Sequence, residues 1–305
     1  MRNLAPASSY IGNLGNILDA LLSSTDTAKE VLSLFPARSG ISFSNSGTSS
    51  LTSLLKYLQK EKGIVQAYIP AYCCPDIPAA AVEANLGISL LDMNPNSLEI
   101  QRPENLASNS VVIFPNLYGI PDSIDCWEGI TIIDDAAQAG LSFAGGVRVG
   151  SRGDYGILSF GRGKAFAAAS GGALLSNHKT NVAESVSSGG STKIVTSILG
   201  LIAEHPLLFG LASKLPFLKV GEVIYPDSIL EKPITNLQLK MITARLKVID
   251  EVTAVHKRHV AYYENLLSGQ SGISLPSVIR NQTSQALTRF PVVFADAGVR
   301  NRVFS

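Results

Sequence analysis

The sequence has little charge and few cysteines. Of its 305 residues only 16% are Asp, Glu, Lys or Arg, and 25 basic against 24 acidic side chains leave a formal net charge of +1. This balance offers no basic surface for nucleic acid and no acidic tail. Three cysteines, two of them adjacent, exclude a disulfide framework. The first ten residues contain one Arg and no apolar run, so no secretory signal is predicted and we expect a cytoplasmic protein.

Apolar residues, in contrast, are abundant. They make up 46% of the chain, which excludes an intrinsically disordered protein. At roughly 150 residues per domain, the length predicts one large or two modest domains with a sizeable core. The low charge also suggests that a partner subunit covers part of the apolar surface.

Short apolar runs alternate with amphipathic stretches through the first half of the chain. Four leucines between Leu51 and Leu58 share one face of a helix predicted over 48–62, and a second helix is predicted over 77–86. Strands that interleave with helices favour a mostly parallel sheet covered on both faces. The predicted strands span residues 40–44, 64–69, 88–91, 111–114, 130–133, 157–160 and 172–175.

A strongly apolar segment, 194–218, follows a Gly/Ser-rich surface loop predicted over 187–192. A membrane span needs about 20 apolar residues with few charges, and Glu204, His205 and Pro206 interrupt this segment near its middle. The pattern favours a buried helical hairpin or a helix pair at an oligomer contact. Attachment to a membrane surface through 194–218 is the less favoured alternative.

The last part of the sequence reads as helix, strand and helix. One long helix is predicted over 237–267, because its apolar residues keep helical spacing. A strand is predicted over 289–294, and a further helix begins at an N-cap on Asp296. The sequence ends at Ser305, inside that helix, so we expect a C-terminal domain that is incomplete in this chain.

Three short motifs contain candidate functional residues. The first is Ser46-Gly47-Thr48-Ser49-Ser50, between a predicted strand and a predicted helix. Backbone N–H groups at a helix N-terminus bind phosphate with the help of the helix dipole. Gly47 would let a ligand approach the backbone closely. An ordinary Ser/Thr N-cap is the alternative interpretation.

The second motif places Asp134 and Asp135 after an apolar strand. Open α/β sheets bind ligands at this carboxyl edge. One of the two carboxylates could hold a protonated ring nitrogen or a metal ion, and a structural cap is the alternative. If the strand persists this far, the two side chains point in opposite directions and only one faces a ligand.

The third motif runs from Ser159 to Lys164 and is followed by Gly171 and Gly172. It does not fit a nucleotide P-loop, because the positions that need Gly and Ser/Thr are occupied by Leu and Ala. A lysine in a Gly-rich turn between strands instead suits a Schiff base. A plain surface lysine is the alternative.

Taken together, the motifs form a phosphate cradle, a carboxylate after a strand and a lysine 29 residues later. This order resembles that of fold-type-I pyridoxal-phosphate enzymes, and from about residue 10 to 300 the chain is similar to the DegT/DnrJ/StrS family of sugar aminotransferases. The stretches that carry the resemblance are SGTSSL (46–51), IPAYCCP (69–75), FPNLYGIP (114–121), IIDDAAQAG (132–140), VGSRGDYGILSFGRGK (149–164) and SGGALLSN (170–177).

The resemblance implies an α/β fold of the type-I transferase kind. A large cofactor-binding domain would span 1–235, with a mostly parallel central sheet flanked by helices, and would include N-terminal helices and segment 194–218. Residues 236–305 would hold the long helix and an incomplete α+β C-terminal domain.

The resemblance also implies a role for each matching residue. Lys164 would bind pyridoxal phosphate as a Schiff base and shuttle protons. Asp135 would pair with the pyridinium nitrogen and keep the ring protonated as an electron sink, and Gln138 would lie near the phenolic side of the ring. The residues implied at the phosphate are Gly47, Thr48, Ser49 and Ser159.

Two departures from the family pattern concern the cofactor and the partner subunit. The family has an aromatic residue on the cofactor ring two positions after the site of Tyr72, where this chain has Cys74. Either Tyr72 shifts toward the ring or the ring lies against the Cys74 thiol. The Asn-x-Arg segment that a family partner subunit often supplies is replaced here by residues 231–234.

By this resemblance, the leading hypothesis is an aminotransferase that moves an amino group from glutamate to a nucleotide-linked keto-sugar in polysaccharide or glycoside biosynthesis, working as a homodimer. Relatives that dehydrate sugars have a histidine in place of Lys164, which argues against dehydration. One alternative is a truncated, impaired homologue that acts as a cofactor-binding regulatory or scaffold protein. Another is a different fold-type-I reaction on an amino acid.

No metal site is predicted. The four histidines, at positions 178, 205, 256 and 259, have no ligand-like grouping with the cysteines. The two on the predicted long helix suit a solvated or interface face.

Overall fold

A computed structural model gives the architecture of the protein. It describes residues 26–168, 170–177, 182, 186–187, 225–226, 228–280 and 285–304. The apolar segment 194–218 and, apart from Ser187, the loop predicted over 187–192 lie outside these residues.

Helices and strands alternate over residues 27–91, and the described residues of 110–187 contain strands and one 3₁₀ turn. The helices are α1 (Thr27–Leu34), α2 (Gly47–Lys62), α3 (Asp76–Glu83), α4 (Asn236–Leu246), α5 (Ile249–Leu267), α6 (Ser277–Arg280) and α7 (Ala297–Phe304), with a 3₁₀ turn at Leu117–Gly119. The strands are β1 (Gly40–Ser44), β2 (Gln66–Pro70), β3 (Gly87–Leu91), β4 (Ser110–Phe114), β5 (Thr131–Asp135), β6 (Phe143–Ala144), β7 (Val147–Arg148), β8 (Tyr155–Ser159), β9 (Gly172–Ser176), β10 (Val186–Ser187), β11 (Ile234–Thr235), β12 (Ile273–Ser274) and β13 (Val293–Phe294).

Seven of these strands form the central sheet, in the order β1-β9-β8-β5-β4-β2-β3. The pairs β2/β3, β2/β4, β4/β5 and β5/β8 are parallel, and β9 runs antiparallel to both of its neighbours. The predicted mostly parallel sheet is therefore confirmed. Asp135 at the end of β5 pairs with Ile157 of β8, which brings the second and third motifs to one edge.

Helices cover both faces of the sheet. Successive residues of β8 belong to two different clusters of buried apolar side chains. Ile157 shares one with Leu54 and Leu55 of α2, whereas Leu158 shares the other with Phe35, which follows α1, and Ile242 of α4. This alternation is the two-residue period of a strand between two apolar layers. The core is thus split by the sheet, and the carboxyl ends of the strands lie at its rim.

The prediction of one long helix over 237–267 is wrong. The chain forms α4 and α5, interrupted at Lys247 and Val248, where Val248 leaves helical geometry with φ −110° and ψ 14°. Residues of α4 are buried on several sides, whereas α5 buries only Ile249 and Val260. The break lets the first helix belong to the core while the second leaves it, a tertiary effect that apolar spacing does not report.

The remaining C-terminal predictions are met in part. Only Val293 and Phe294 of the strand predicted over 289–294 form a ladder, antiparallel to β12. Asp296 accepts a hydrogen bond from Val299 N at 2.8 Å, so the predicted N-cap of α7 is confirmed. None of the helices within the described ranges has both the length and the apolar character to cross a bilayer.

Candidate active site

The start of α2 forms a cradle at the carboxyl edge of the sheet. Ser46 is the N-cap and accepts a hydrogen bond from Ser49 N at 3.0 Å. A side chain at Gly47 would place its Cβ 2.9 Å from Cβ of Ser159, so the helix N-terminus can touch β8 only because this residue is Gly. The first N–H groups of a helix lack partners within it. The N-cap and the predicted anion cradle therefore coexist, and the Ser159 hydroxyl lies beside them.

The two carboxylates at the end of β5 lie in different environments. β5 persists through Asp135, so the two side chains alternate. Asp134 is fully buried and forms an ion pair with Arg152. Asp135 faces the pocket, and in the described part of the chain its carboxylate accepts one hydrogen bond, from Ala137 N at 2.9 Å. Its second oxygen remains available to a ligand.

Lys164 lies in the turn that follows β8. Backbone hydrogen bonds from Lys164 N to Gly161 O and from Ala167 N to Lys164 O fix the turn around it. Its side chain lines the same pocket as Asp135, and no hydrogen bond or ion pair to its amine occurs among the residues that the structure describes. A half-buried primary amine held opposite a carboxylate suits capture of a carbonyl compound.

These groups share one cavity of about 210 Å³. It contains the predicted residues Gly47, Thr48, Cys74, Asp135, Ser159 and Lys164, and it is also lined by Ser46, Leu51, Asp76, Ile77, Ala137 and Ile157. A helix N-terminus for an anion, a carboxylate for a protonated nitrogen and an amine for an aldehyde are the groups that pyridoxal phosphate requires. The donor set of this pocket therefore fits that cofactor.

Three predicted residues lie outside the lining of this cavity. Ser49 is buried and contributes instead to a larger cavity of about 490 Å³, which α2 lines together with the end of β1 and residues 231–233. Tyr72 is 61% exposed, and its hydroxyl bonds that of Tyr118. Gln138 accepts a hydrogen bond from Tyr118 N at 3.1 Å. Of the two residues considered for the cofactor ring, the structure brings Cys74, and not Tyr72, into the pocket.

Several residues near the pocket were missed by sequence reasoning. Asp76, at the start of α3, accepts a hydrogen bond from the Thr48 hydroxyl at 3.0 Å and so joins two helix N-termini. The turn after β4 holds Asn116 and Tyr118 in left-handed conformations, with φ 42° and 64°. An acidic residue in a helix first turn was a usable signal for Asp76. Nothing in the sequence indicated left-handed backbone at two non-glycine positions.

Burial dominates the electrostatics of the pocket. It raises the pKa of Asp135 to about 6; the Ala137 N–H and the charge of Lys164 oppose this rise, and Asp134 adds to it. Burial also raises the pKa of Cys73 to about 12 and raises the pKa of Cys74. Both thiols are therefore protonated at neutral pH, so Cys74 acts as a small apolar wall and not as a nucleophile.

Comparison with known proteins agrees with this geometry. The model of the DegT/DnrJ/EryC1/StrS aminotransferase family matches residues 29–200, more than half of the chain. The chain belongs to this family. The enzyme class predicted from the sequence, an aminotransferase, and its cofactor, pyridoxal phosphate, are therefore confirmed at the level of the family. No curated protein sequence matches the chain significantly.

Solved structures similar to this family member share its fold at low identity. GDP-4-keto-6-deoxy-D-mannose-3-dehydratase from E. coli, with bound hydrated PLP, is 13% identical with a TM-score of 0.70, over 98% of this chain and 82% of that chain. The sugar aminotransferase CalS13 from Micromonospora echinospora is 15% identical with a TM-score of 0.64, over 98% and 83%. PseC from Helicobacter pylori, an aminotransferase involved in the biosynthesis of pseudoaminic acid, is 12% identical with a TM-score of 0.67, over 95% and 77%.

Proposed function

We propose that this family member transfers an amino group from an amino acid, with glutamate as the expected donor, to a nucleotide-linked keto-sugar. The observation that carries the proposal is the meeting of Lys164, Asp135 and the N-terminus of α2 in one pocket. The family assignment supports amino transfer. Similar folds whose names specify sugar substrates, CalS13 and a GDP-keto-sugar dehydratase among them, support the acceptor class.

Each pocket residue then has a chemical task. Pyridoxal phosphate supplies an electron sink when it is bound. Gly47 and Thr48 would bind the phosphate through backbone N–H groups, with the Ser159 hydroxyl as a further donor. The ionised Asp135 would accept a hydrogen bond from the protonated ring nitrogen at its free carboxylate oxygen. The Nζ of Lys164 would accept the proton from the donor's α-carbon and would later deliver one to the acceptor carbon.

Cys74, Gln138 and Tyr72 also have roles in the proposed site. Cys74 leaves space beside the ring position that an aromatic side chain would fill. Gln138 accepts a hydrogen bond from Tyr118 N in the left-handed turn. The hydroxyls of Tyr118 and Tyr72 bond each other, and both residues line another cavity of about 330 Å³. We assign Gln138 to orienting this turn beside the cofactor, and Tyr72 to the approach of the substrate.

We further propose that the enzyme works as a homodimer in the cytoplasm. Only 16% of the residues are charged, and segment 194–218 is apolar. Tyr262 and Leu266 of α5 are more than half exposed, which leaves an apolar strip on the second helix of the C-terminal part. Large apolar surfaces are uncommon on soluble monomers, and together these features support a covered interface.

Two half-reactions test the proposed activity. The protein loaded with pyridoxal phosphate is mixed with glutamate, and the loss of visible absorbance is followed together with formation of 2-oxoglutarate. A panel of nucleotide-linked keto-sugars is then added, and recovery of the absorbance with formation of an amino-sugar is expected for one acceptor class. Lys164→Ala is the matched control and should show neither change.

Two results would contradict the proposal. Recovery only with 2-oxo acids would indicate an amino-acid aminotransferase. A dehydrated sugar without an amino group would indicate the chemistry named for the E. coli neighbour.

A further inference from the structure

Arg152 is buried behind the active-site pocket and joins its supporting elements. Its side chain is 8% exposed, and Asp134, its ion-pair partner, is 0% exposed. Nη2 and Nε of Arg152 donate to the two Asp134 oxygens at 2.6 and 3.1 Å. The backbone N–H groups of Gly150 and Arg152 donate to the same carboxylate at 2.7 and 3.1 Å. Arg152 does not line the pocket, so it has no direct contact with a ligand there.

The contacts of Arg152 continue to Asp135 through Asn116. Arg152 Nη2 donates to Asn116 Oδ1 at 2.7 Å, and Asn116 Nδ2 donates to the Asp135 carbonyl oxygen and to Asp134 Oδ1, each at 3.0 Å. Arg152 Nη1 also donates to the carbonyl of Asp122 at 2.8 Å. Asn116 is held with φ 42°, a conformation that persists only when the surroundings over-determine it. The end of β5 is therefore fixed from behind.

The charges around Asp135 give this arrangement an electrostatic consequence. Asp134 is its neighbour on β5, with a carboxylate that points the other way. Lys164 acts on it from the turn after β8, Asp122 from the turn after β4, and the Cys73 and Cys74 thiols from the segment before α3. Two adjacent carboxylates in a buried site cannot both ionise easily. Arg152 supplies the charge in direct contact with Asp134, whereas Lys164 is the cation that acts on Asp135.

We propose that Arg152 is a positioning residue of the reaction: it cancels the charge of Asp134 and, through Asn116, holds Asp135 ionised and aimed into the pocket. The inference rests on the proposed function, because an ionised Asp135 matters there as the partner of a protonated ring nitrogen. Without Arg152, Asp134 would set an uncompensated negative charge beside Asp135.

A titration of the cofactor-free protein tests this directly. The aspartate carboxyl carbons are labelled with ¹³C, the signal of Asp135 is assigned by its absence in Asp135→Asn, and its midpoint is compared between wild type and Arg152→Gln. The Gln variant should raise the midpoint by about one pH unit or more. The double variant Arg152→Gln/Asp134→Asn removes both charges and should return the midpoint to near the wild-type value.

The double variant separates electrostatics from mere packing. If Arg152 only held the 150–154 turn in place, the single and double variants would behave alike. Should Arg152→Gln fail to fold, Asp134→Asn is compared with the double variant, and the variant that keeps Arg152 should show the lower Asp135 midpoint. An unchanged midpoint in Arg152→Gln, or equal midpoints in this second comparison, would overturn the inference.

The design also distinguishes this inference from the proposed function. The titration needs no cofactor, so its result stands even if wild-type protein fails to bind pyridoxal phosphate, a failure that would overturn the proposed function alone. With loaded enzyme, the acidic limb of the kcat/KM profile should move to higher pH in Arg152→Gln and should be restored in the double variant.

Discussion

Asp134 and Asp135 are adjacent in sequence but have different roles. Asp134 is enclosed by Arg152 and two backbone N–H groups, whereas Asp135 keeps one oxygen toward the pocket. A charge that is already compensated holds the fold together. A charge left partly free in a buried site is available to a ligand.

Substitution of these two residues should therefore separate activity from stability. Asp135→Asn should reduce amino transfer by about 100-fold or more, because it removes a preorganised charge at the ring nitrogen. It should not lower the melting temperature, because burial disfavours the ionised carboxylate that it replaces. Asp134→Asn should lower the free energy of unfolding by about 3–5 kcal/mol, because it strands a buried guanidinium. Thermal denaturation and kcat/KM of both variants check this, and equal rate losses would contradict the assignment.

The raised pKa of Asp135 predicts how cofactor affinity depends on pH. Between the ordinary carboxyl value of 3.8 and about 6, the folded protein holds a proton at Asp135 that the unfolded chain has lost, so this residue's contribution to stability disappears as pH rises through 6. Above 6 the ionised carboxylate can pair with a protonated ring nitrogen, and below 6 it cannot. Affinity for pyridoxal phosphate should fall by up to about tenfold per pH unit below 6.

Equilibrium binding of the cofactor across this range checks the prediction. Asp135→Asn is the control, and its affinity should vary less with pH because the titrating carboxylate is gone. An affinity of wild type that rises on acidification would contradict the role of Asp135.

The phosphate cradle depends on close contact between three elements: the start of α2, β8 and β9. A Cβ at Gly172, the first residue of β9, would lie 2.2 Å from Ser46 O and 2.4 Å from Gly47 N. β9 thus presses against the start of α2, and β8 reaches the same point through Ser159. The antiparallel strand in the sheet is what sets the phosphate cradle in position.

Gly172→Ala should displace the start of α2. We expect weaker binding of pyridoxal phosphate, by tenfold or more, and a loss of about 1–3 kcal/mol in the free energy of unfolding from overpacking. Gly161→Ala is the matched control, because its Cβ would meet nothing nearer than 3.6 Å. Cofactor titration and chemical denaturation of both variants decide the matter, and equal effects would contradict the contact argument.

Most elements of the sheet could be predicted from apolar runs. All seven strands predicted within the first 175 residues exist, and their ends differ from the prediction by at most two residues. The helix over 237–267 could not be predicted correctly, because its break depends on how α4 packs against α1 and not on local spacing. Thr27 and Thr243 bond across that contact at 2.8 Å, although 216 positions separate them in sequence.

The candidate site was predictable where a motif met a strand end. Asp135, Ser159 and Lys164 were found this way, because carboxyl ends of parallel strands converge. Arg152 and Asn116 were not, because their roles depend on contacts between different elements. Arg152 bonds Asp134, 18 positions away in sequence, and Asn116, 36 positions away. Long-range hydrogen bonds of this kind leave no periodic signal.

The proposed homodimer is supported by the low charge of the chain and by its apolar segment. Only 49 of the 305 residues are charged, 25 of them basic and 24 acidic, and segment 194–218 is apolar. Light scattering at micromolar concentration should give a mass near twice 32.3 kDa. A monomer that binds the cofactor and turns over would contradict a shared interface, whereas an inactive monomer would favour the impaired-homologue alternative.

The identity of the lysine that carries the cofactor tests the central claim most directly. The protein is loaded with pyridoxal phosphate, reduced with borohydride and digested, and the modified peptide is located by mass spectrometry. The site in which Lys164 faces Asp135 predicts a pyridoxyl label on Lys164, together with loss of the label in Lys164→Ala while thermal denaturation shows a folded protein. A label on another lysine, or no label at all on folded wild-type protein, would contradict the account.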